Sequence, residues 1–173
     1  MDRTYIGDLG GKAGETILIK GWIDVRRDQG KMVFFDFRDM TGTIQGVVLP
    51  NRPEVTEIAK NTRVESAVQI EGIVNKRPER NVIAGKINGD IELEITSIVV
   101  LSEAEVLPFD MSLTGYNLDL TTELDNRALV LRHPKIRAIF KIQETVIDSF
   151  REFMKKNKFF EFQAPSMTPA TAE

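Results

Sequence analysis

Arg26, Arg27, Phe34, Gln45 and Glu92 are the residues whose types and spacing could do chemistry together, and four of them fall within residues 25–45, VRRDQGKMVFFDFRDMTGTIQ. An aromatic ring offered to solvent can stack an unpaired base for roughly 1–3 kcal/mol whatever the base is. Base choice then needs a polar neighbour, and Gln45 carries both a donor and an acceptor for a base edge. Arg26 and Arg27, with Lys31 nearby, could grip phosphates bidentately or stack on bases. Glu92 is the odd member, because phosphates repel a carboxylate and it helps near RNA only by accepting from a base amino or imino group. Each residue also has a plainer account. Phe34 could as readily cover one end of a barrel, Gln45 and Glu92 could be solvated strand residues, and the arginines could be charges that keep a sheet edge from pairing.

Other chemistry finds no footing. His133 is the one histidine of the 173 residues, sits between Arg132 and Pro134, and reads as a surface or helix-entry residue rather than a general base. Glycines are scattered, so no phosphate-cradling loop is expected, and the carboxylates show neither metal-ligand spacing nor an acid/base pair. No catalytic group, no metal and no cofactor bound by these residues is therefore expected. The absence of cysteine removes disulfides and thiolate zinc sites and fits a reducing compartment. A net charge of −3 supplies no global field for nucleic acid and excludes a histone-like binder, so any such site must come from local clustering. Apolar runs fall well short of the roughly 20 residues that span a bilayer, and the start has no signal-peptide pattern. The expectation is a soluble, cytoplasmic protein with no membrane partner.

Five strand-like runs must position these residues: 16–25, 32–40, 43–49, 65–75 and 90–101, with Thr41-Gly42 as a turn and a short helix over 53–61. Alternation puts Val33, Phe35 and Phe37 on one face and Met32, Phe34 and Asp36 on the other, making Phe34 the outward ring. The order β-β-β-α-β-β is that of an oligonucleotide-binding (OB) barrel, and the long cationic connection from Lys76-Arg77-Pro78 to Asn88-Gly89 should lie beside its binding face. Residues 103–133 read as a hinge. From 134 to 158, Ile136, Ile139, Phe140, Val146, Ile147, Phe150, Phe153 and Met154 recur at helical steps, predicting one long amphipathic helix, with a strand-like run at Phe159-Phe160-Glu161-Phe162. The fold class expected is mainly β with α: a five-stranded OB-fold barrel over 1–102, the hinge, then the helix and short strand. That apolar helix face needs either the barrel or another molecule to cover it.

Residues 26–45, together with Arg77-Pro78-Glu79, Asn88-Gly89-Asp90-Ile91-Glu92, Val106-Leu107-Pro108-Phe109, Leu131-Arg132-His133-Pro134 and Phe159 to Pro165, occur in an order that resembles the aspartyl-tRNA synthetases. These are class II enzymes of the Asp, Asn and Lys subclass, and the Arg-Pro-Glu loop followed by Gly-Asp-Ile-Glu resembles the Asp member most. The resemblance implies that Phe34 stacks on the central anticodon base, a uridine, that Gln45 hydrogen-bonds its edge, and that Glu92 reads a flanking base. It implies further that Arg27 contacts the anticodon backbone or neighbouring bases, with Arg26 and Arg77 completing the tRNA-binding set. Residues 134–173 would then begin the catalytic domain. Its motif 1 helix and strand, ending at Pro165, would form a homodimer interface, and Glu173 would contact the amino-acid substrate. The family's motif 2 and motif 3 arginines, which hold ATP, have no equivalent in these residues, so aminoacylation by them alone is not expected. The full enzyme would use ATP and Mg to attach aspartate to tRNA-Asp, with tRNA-Asn left open as a second substrate. The competing readings are a portion of an asparaginyl enzyme, a free-standing OB module for single strands, and a dimerisation protein built on the long helix.

Overall fold

The computed structural model describes residues 1–111 and 117–163, which fall into two compact units dividing between Leu107 and Pro108. In the first unit, β1 (Thr16–Asp28), β2 (Val33–Arg38), β3 (Thr43–Val48), β4 (Ala67–Lys76) and β5 (Ile91–Ser102) form a closed barrel in the order β1-β2-β3-β5-β4, with α1 (Pro53–Asn61) between β3 and β4. Four of the five seams are antiparallel; the fifth, β3 against β5, is parallel and closes the barrel through Gly46 opposite Leu93 and Val47 opposite Glu94. Closure brings side chains from opposite walls together at Gly46, where a Cβ would lie 2.7 Å from the Phe37 ring and 2.9 Å from Ile95 Cδ1. Only glycine fits there.

The alternation of β2 is realised in full. Val33, Phe35 and Phe37 are buried, with the Phe35 and Phe37 rings stacked at 5.3 Å, while Phe34 and Asp36 remain partly exposed on the outer face. β1 runs three residues past its expected end because Arg26, Arg27 and Asp28 pair with Phe35, Phe34 and Val33 of β2. A bulge between Ile23 and Val25 bends this strand as its partner changes from β4 to β2.

One core element was not expected. The 3-10 turn Ile6–Asp8 inserts Ile6, and the following residue inserts Leu9, both fully buried. The turn is held by the Asp39 carboxylate, which accepts from Ile6 N–H (2.9 Å), from Thr41 N–H (2.7 Å) and hydroxyl (2.6 Å), and from Gly42 N–H (3.1 Å). Burial pushes the Asp39 pKa up, but these donors outweigh it and hold the carboxyl below its ordinary value.

In the second unit, α2 (Leu120–Asp125) is capped by Asp119, α3 (Arg127–Val130) follows directly, and α4 (Pro134–Lys156) is the long helix expected. His133, almost fully buried, is a helix-entry residue rather than a surface one: its Nδ1 accepts from Lys135 N–H at the N-cap of α4, and Pro134 takes the first helical position. Burial, then the nearby Lys135 charge, hold its pKa below the ordinary value. Ile139, Phe140, Val146, Ile147, Phe150 and Phe153 of α4 are exposed. The strand expected at Phe159-Phe160-Glu161-Phe162 is not formed, since these residues continue without helix or ladder pairing. Strand propensity is realised only against a neighbouring strand, and the described residues of this unit contain none. Pro165 and Glu173 lie outside the described residues.

Candidate nucleic-acid interface

The outer face of β2 and β3, the start of β5 and the β4–β5 connection together wall a cleft of about 430 Å³. Phe34, Gln45 and Glu92, singled out by type, and Arg77, singled out by the resemblance, line it, joined by Asn81 and Ile83 from the connection. The barrel explains the convergence. Phe34 and Gln45 point outward because their strand neighbours fill the core, and β5 lies alongside β3 because the barrel closes there.

Arg77 is the hub of the polar contacts. Its side chain is only 5% exposed. Nη2 donates to Gln45 Oε1 at 3.1 Å and Nη1 to the Asn81 carbonyl at 3.4 Å. Nε lies 3.9 Å from Glu92 Oε2, beyond hydrogen-bond reach, and has no acceptor. Beside the cleft, Arg27 stands opposite Phe34 across the β1–β2 seam and donates to Asp36 at 3.2 Å. Cations and carboxylates thus alternate along this face, which suits hydrogen bonding to base edges better than a bare grip on phosphate.

Arg26 is not part of this group. It stands opposite the buried Phe35, so it projects from the other side of β1, and its Nη1 donates to the carbonyls of Lys60 and Thr62 at the C-terminal end of α1. A cation satisfying the last carbonyls of a helix is a stabilising arrangement, and it accounts for Arg26 without any ligand.

Asn88 carries a role not read from the sequence. With φ of +58° it sits in the left-handed region, and its Nδ2 donates to Ile6 O (2.8 Å) and Thr43 O (3.3 Å), tying the end of the connection to the N-terminal turn and to β3. Gly89 follows where a Cβ would strike the Ile83 carbonyl. Ile83 N–H donates to Gly89 O, which holds Ile83 at the cleft wall. An Asn-Gly pair closing a long connection marks such a turn, but it does not say what the asparagine will reach. Among the described residues, no group of three His, Cys, Asp or Glu side chains converges in a way that could hold a metal ion.

A family model described as an OB-fold nucleic acid binding domain matches residues 17–101, and one described as tRNA synthetases class II (D, K and N) matches residues 119–173. The chain belongs to the class II tRNA synthetases of this group, with the OB-fold domain ahead of the synthetase segment. The chain is 32% identical over 160 residues to the aspartate–tRNA ligase of Staphylococcus haemolyticus, an alignment covering 92% of this chain and 27% of that protein. Among solved structures, the aspartyl-tRNA synthetase of Entamoeba histolytica superposes with a TM-score of 0.83 at 28% identity, covering 96% of this chain and 40% of that one. The asparaginyl-tRNA synthetase of Pyrococcus horikoshii, complexed with asparaginyl-adenylate, gives 0.79 at 30% identity, over 95% and 37%. The chain spans about a quarter of the length of the curated relatives it matches.

Proposed function

We propose that the cleft reads the anticodon of tRNA, and that the chain is the anticodon-recognising portion of an aspartate–tRNA ligase. The observation that carries this is the partly exposed Phe34 ring beside Gln45, whose carbonyl is already engaged by Arg77. A central anticodon uridine stacks on Phe34 and meets the Gln45 amide, Glu92 accepts from a flanking base, and Arg27 serves the anticodon backbone. The tRNA is that for aspartate, and the same cleft decides whether the tRNA for asparagine is accepted as well. The whole ligase forms aspartyl-adenylate from ATP and aspartate with Mg, then esterifies the tRNA 3′ end. In that reaction Glu173 contacts the amino acid, and α4 with the segment ending at Pro165 pairs two subunits. The setting proposed is the cytoplasm; no helix among the described residues is long and apolar enough to cross a membrane.

Phe34→Ala tests the reading. It should weaken binding of an anticodon stem-loop by roughly 1–3 kcal/mol while leaving the barrel's thermal midpoint nearly unchanged, because the ring is not in the core. Unchanged binding would remove Phe34 from the site.

A further inference from the structure

We propose that Arg77 is a positioning residue: it fixes the orientation of the Gln45 amide and thereby sets which base the cleft prefers. This rests on the anticodon-reading role above and goes beyond it by assigning Arg77 to Gln45 rather than to the RNA backbone.

Arg77 is rooted where the two ends of the β4–β5 connection meet, its own N–H donating to Asp90 O at 2.8 Å. From there the buried guanidinium reaches Gln45 Oε1 and the Asn81 carbonyl. A guanidinium only donates. Gln45 must therefore turn its oxygen toward Arg77 and leave its NH2 for whatever enters the cleft. A solvated glutamine can rotate its amide and offer either group, so by itself it barely distinguishes a base that presents an acceptor from one that presents a donor. Held by Arg77, it is a committed donor. At the edge position where uracil carries the O4 acceptor, cytosine carries an amino group, and a fixed NH2 facing that amino group is left unpaired.

The charge arrangement points the same way. The Arg77 side chain is nearly inaccessible and Glu92 stands 3.9 Å from its Nε, so its charge is offset inside the protein rather than presented to phosphate. The buried Nε–H without an acceptor completes the case. A small shift of Glu92, or a ligand oxygen entering the cleft, would satisfy it, so the hub is poised to tighten when the cleft fills.

The test measures affinity of the full chain for an anticodon stem-loop RNA with central uridine and for the same RNA with central cytidine, each over a range of salt. Arg77→Lys cannot hold both the amide and the Asn81 carbonyl in one plane. It should lower the uridine-over-cytidine preference about tenfold, the worth of roughly one hydrogen bond, with the salt dependence unchanged. In the Arg77→Lys background, Gln45→Ala should cost no further preference. Arg77→Gln, which removes the charge that Arg77→Lys keeps, reads the salt dependence: a slope reduced by about one with the preference intact would make Arg77 a phosphate contact and overturn the proposal, as would additive losses in the double variant. Gln45→Glu covers the case in which Arg77→Lys folds poorly. The carboxylate keeps Arg77 paired but offers only acceptors, so the preference should move toward cytidine, and no such move overturns the proposal. A wild-type chain with no uridine preference would instead overturn the anticodon reading itself.

Discussion

Asp39 shows how one carboxylate can decide whether the barrel's end is closed. Its side chain is fully buried, Arg3 approaches to 3.9 Å, and its hydrogen bonds bind the N-terminal turn to the β2–β3 hairpin. Because its pKa is depressed in the folded protein, the stability it contributes is fully present above the ordinary carboxyl value of 3.8. That stability is lost as pH falls through the lower folded value. Asp39→Asn should cost about 1.5–3 kcal/mol at neutral pH, the range for a hydrogen bond to a charged group. It should also flatten the acid limb of the stability curve below pH 3.8, which urea denaturation at stepped pH would show. None of this was legible beforehand. An aspartate after a strand and before Thr-Gly signals only a turn, while Ile6 and Leu9 lie in a segment with no periodicity to mark them as core.

At the scale of elements, the barrel depends on the approach of β3 to β5. Gly46→Ala would place a methyl group within 3 Å of both Phe37 and Ile95, side chains already fixed in the core. Overpacking of this kind costs typically about 1–3 kcal/mol, so the variant should show a lower denaturant midpoint with an unchanged slope. The five strands and α1 were readable because their faces differ so sharply: β2 buries every second residue, and that regularity alone identified Phe34 as outward. The extension of β1 through Arg26 to Asp28 was not readable, because those polar residues become strand only by pairing with β2. The place of Arg26 outside the cleft was not readable for a related reason, since adjacency to Arg27 says nothing about which side of the strand each one takes. Asn88 could be flagged as a turn residue, but its reach to Ile6 and Thr43 depends on a closed barrel.

For the whole molecule, each unit raises a different question. The barrel unit buries its own core, whereas α4 leaves Phe150 and Phe153 each 64% exposed along one apolar stripe. If that stripe joins two subunits as proposed, sedimentation should show a dimer that Phe150→Glu converts to monomer. The same variant should leave stem-loop affinity unchanged, because the cleft is built wholly from the barrel unit. A monomeric wild type would remove α4 from the interface without touching the reading of the cleft.

The most direct check on that reading is the affinity of the unaltered chain, at one fixed moderate salt concentration, for the aspartate anticodon stem-loop and for the same stem-loop with its central uridine replaced. Tighter binding of the uridine-containing RNA is the expected result, since Phe34 supplies the stack and Gln45 the choice. Equal affinity for the two would contradict it and leave a barrel that holds single strands without reading them.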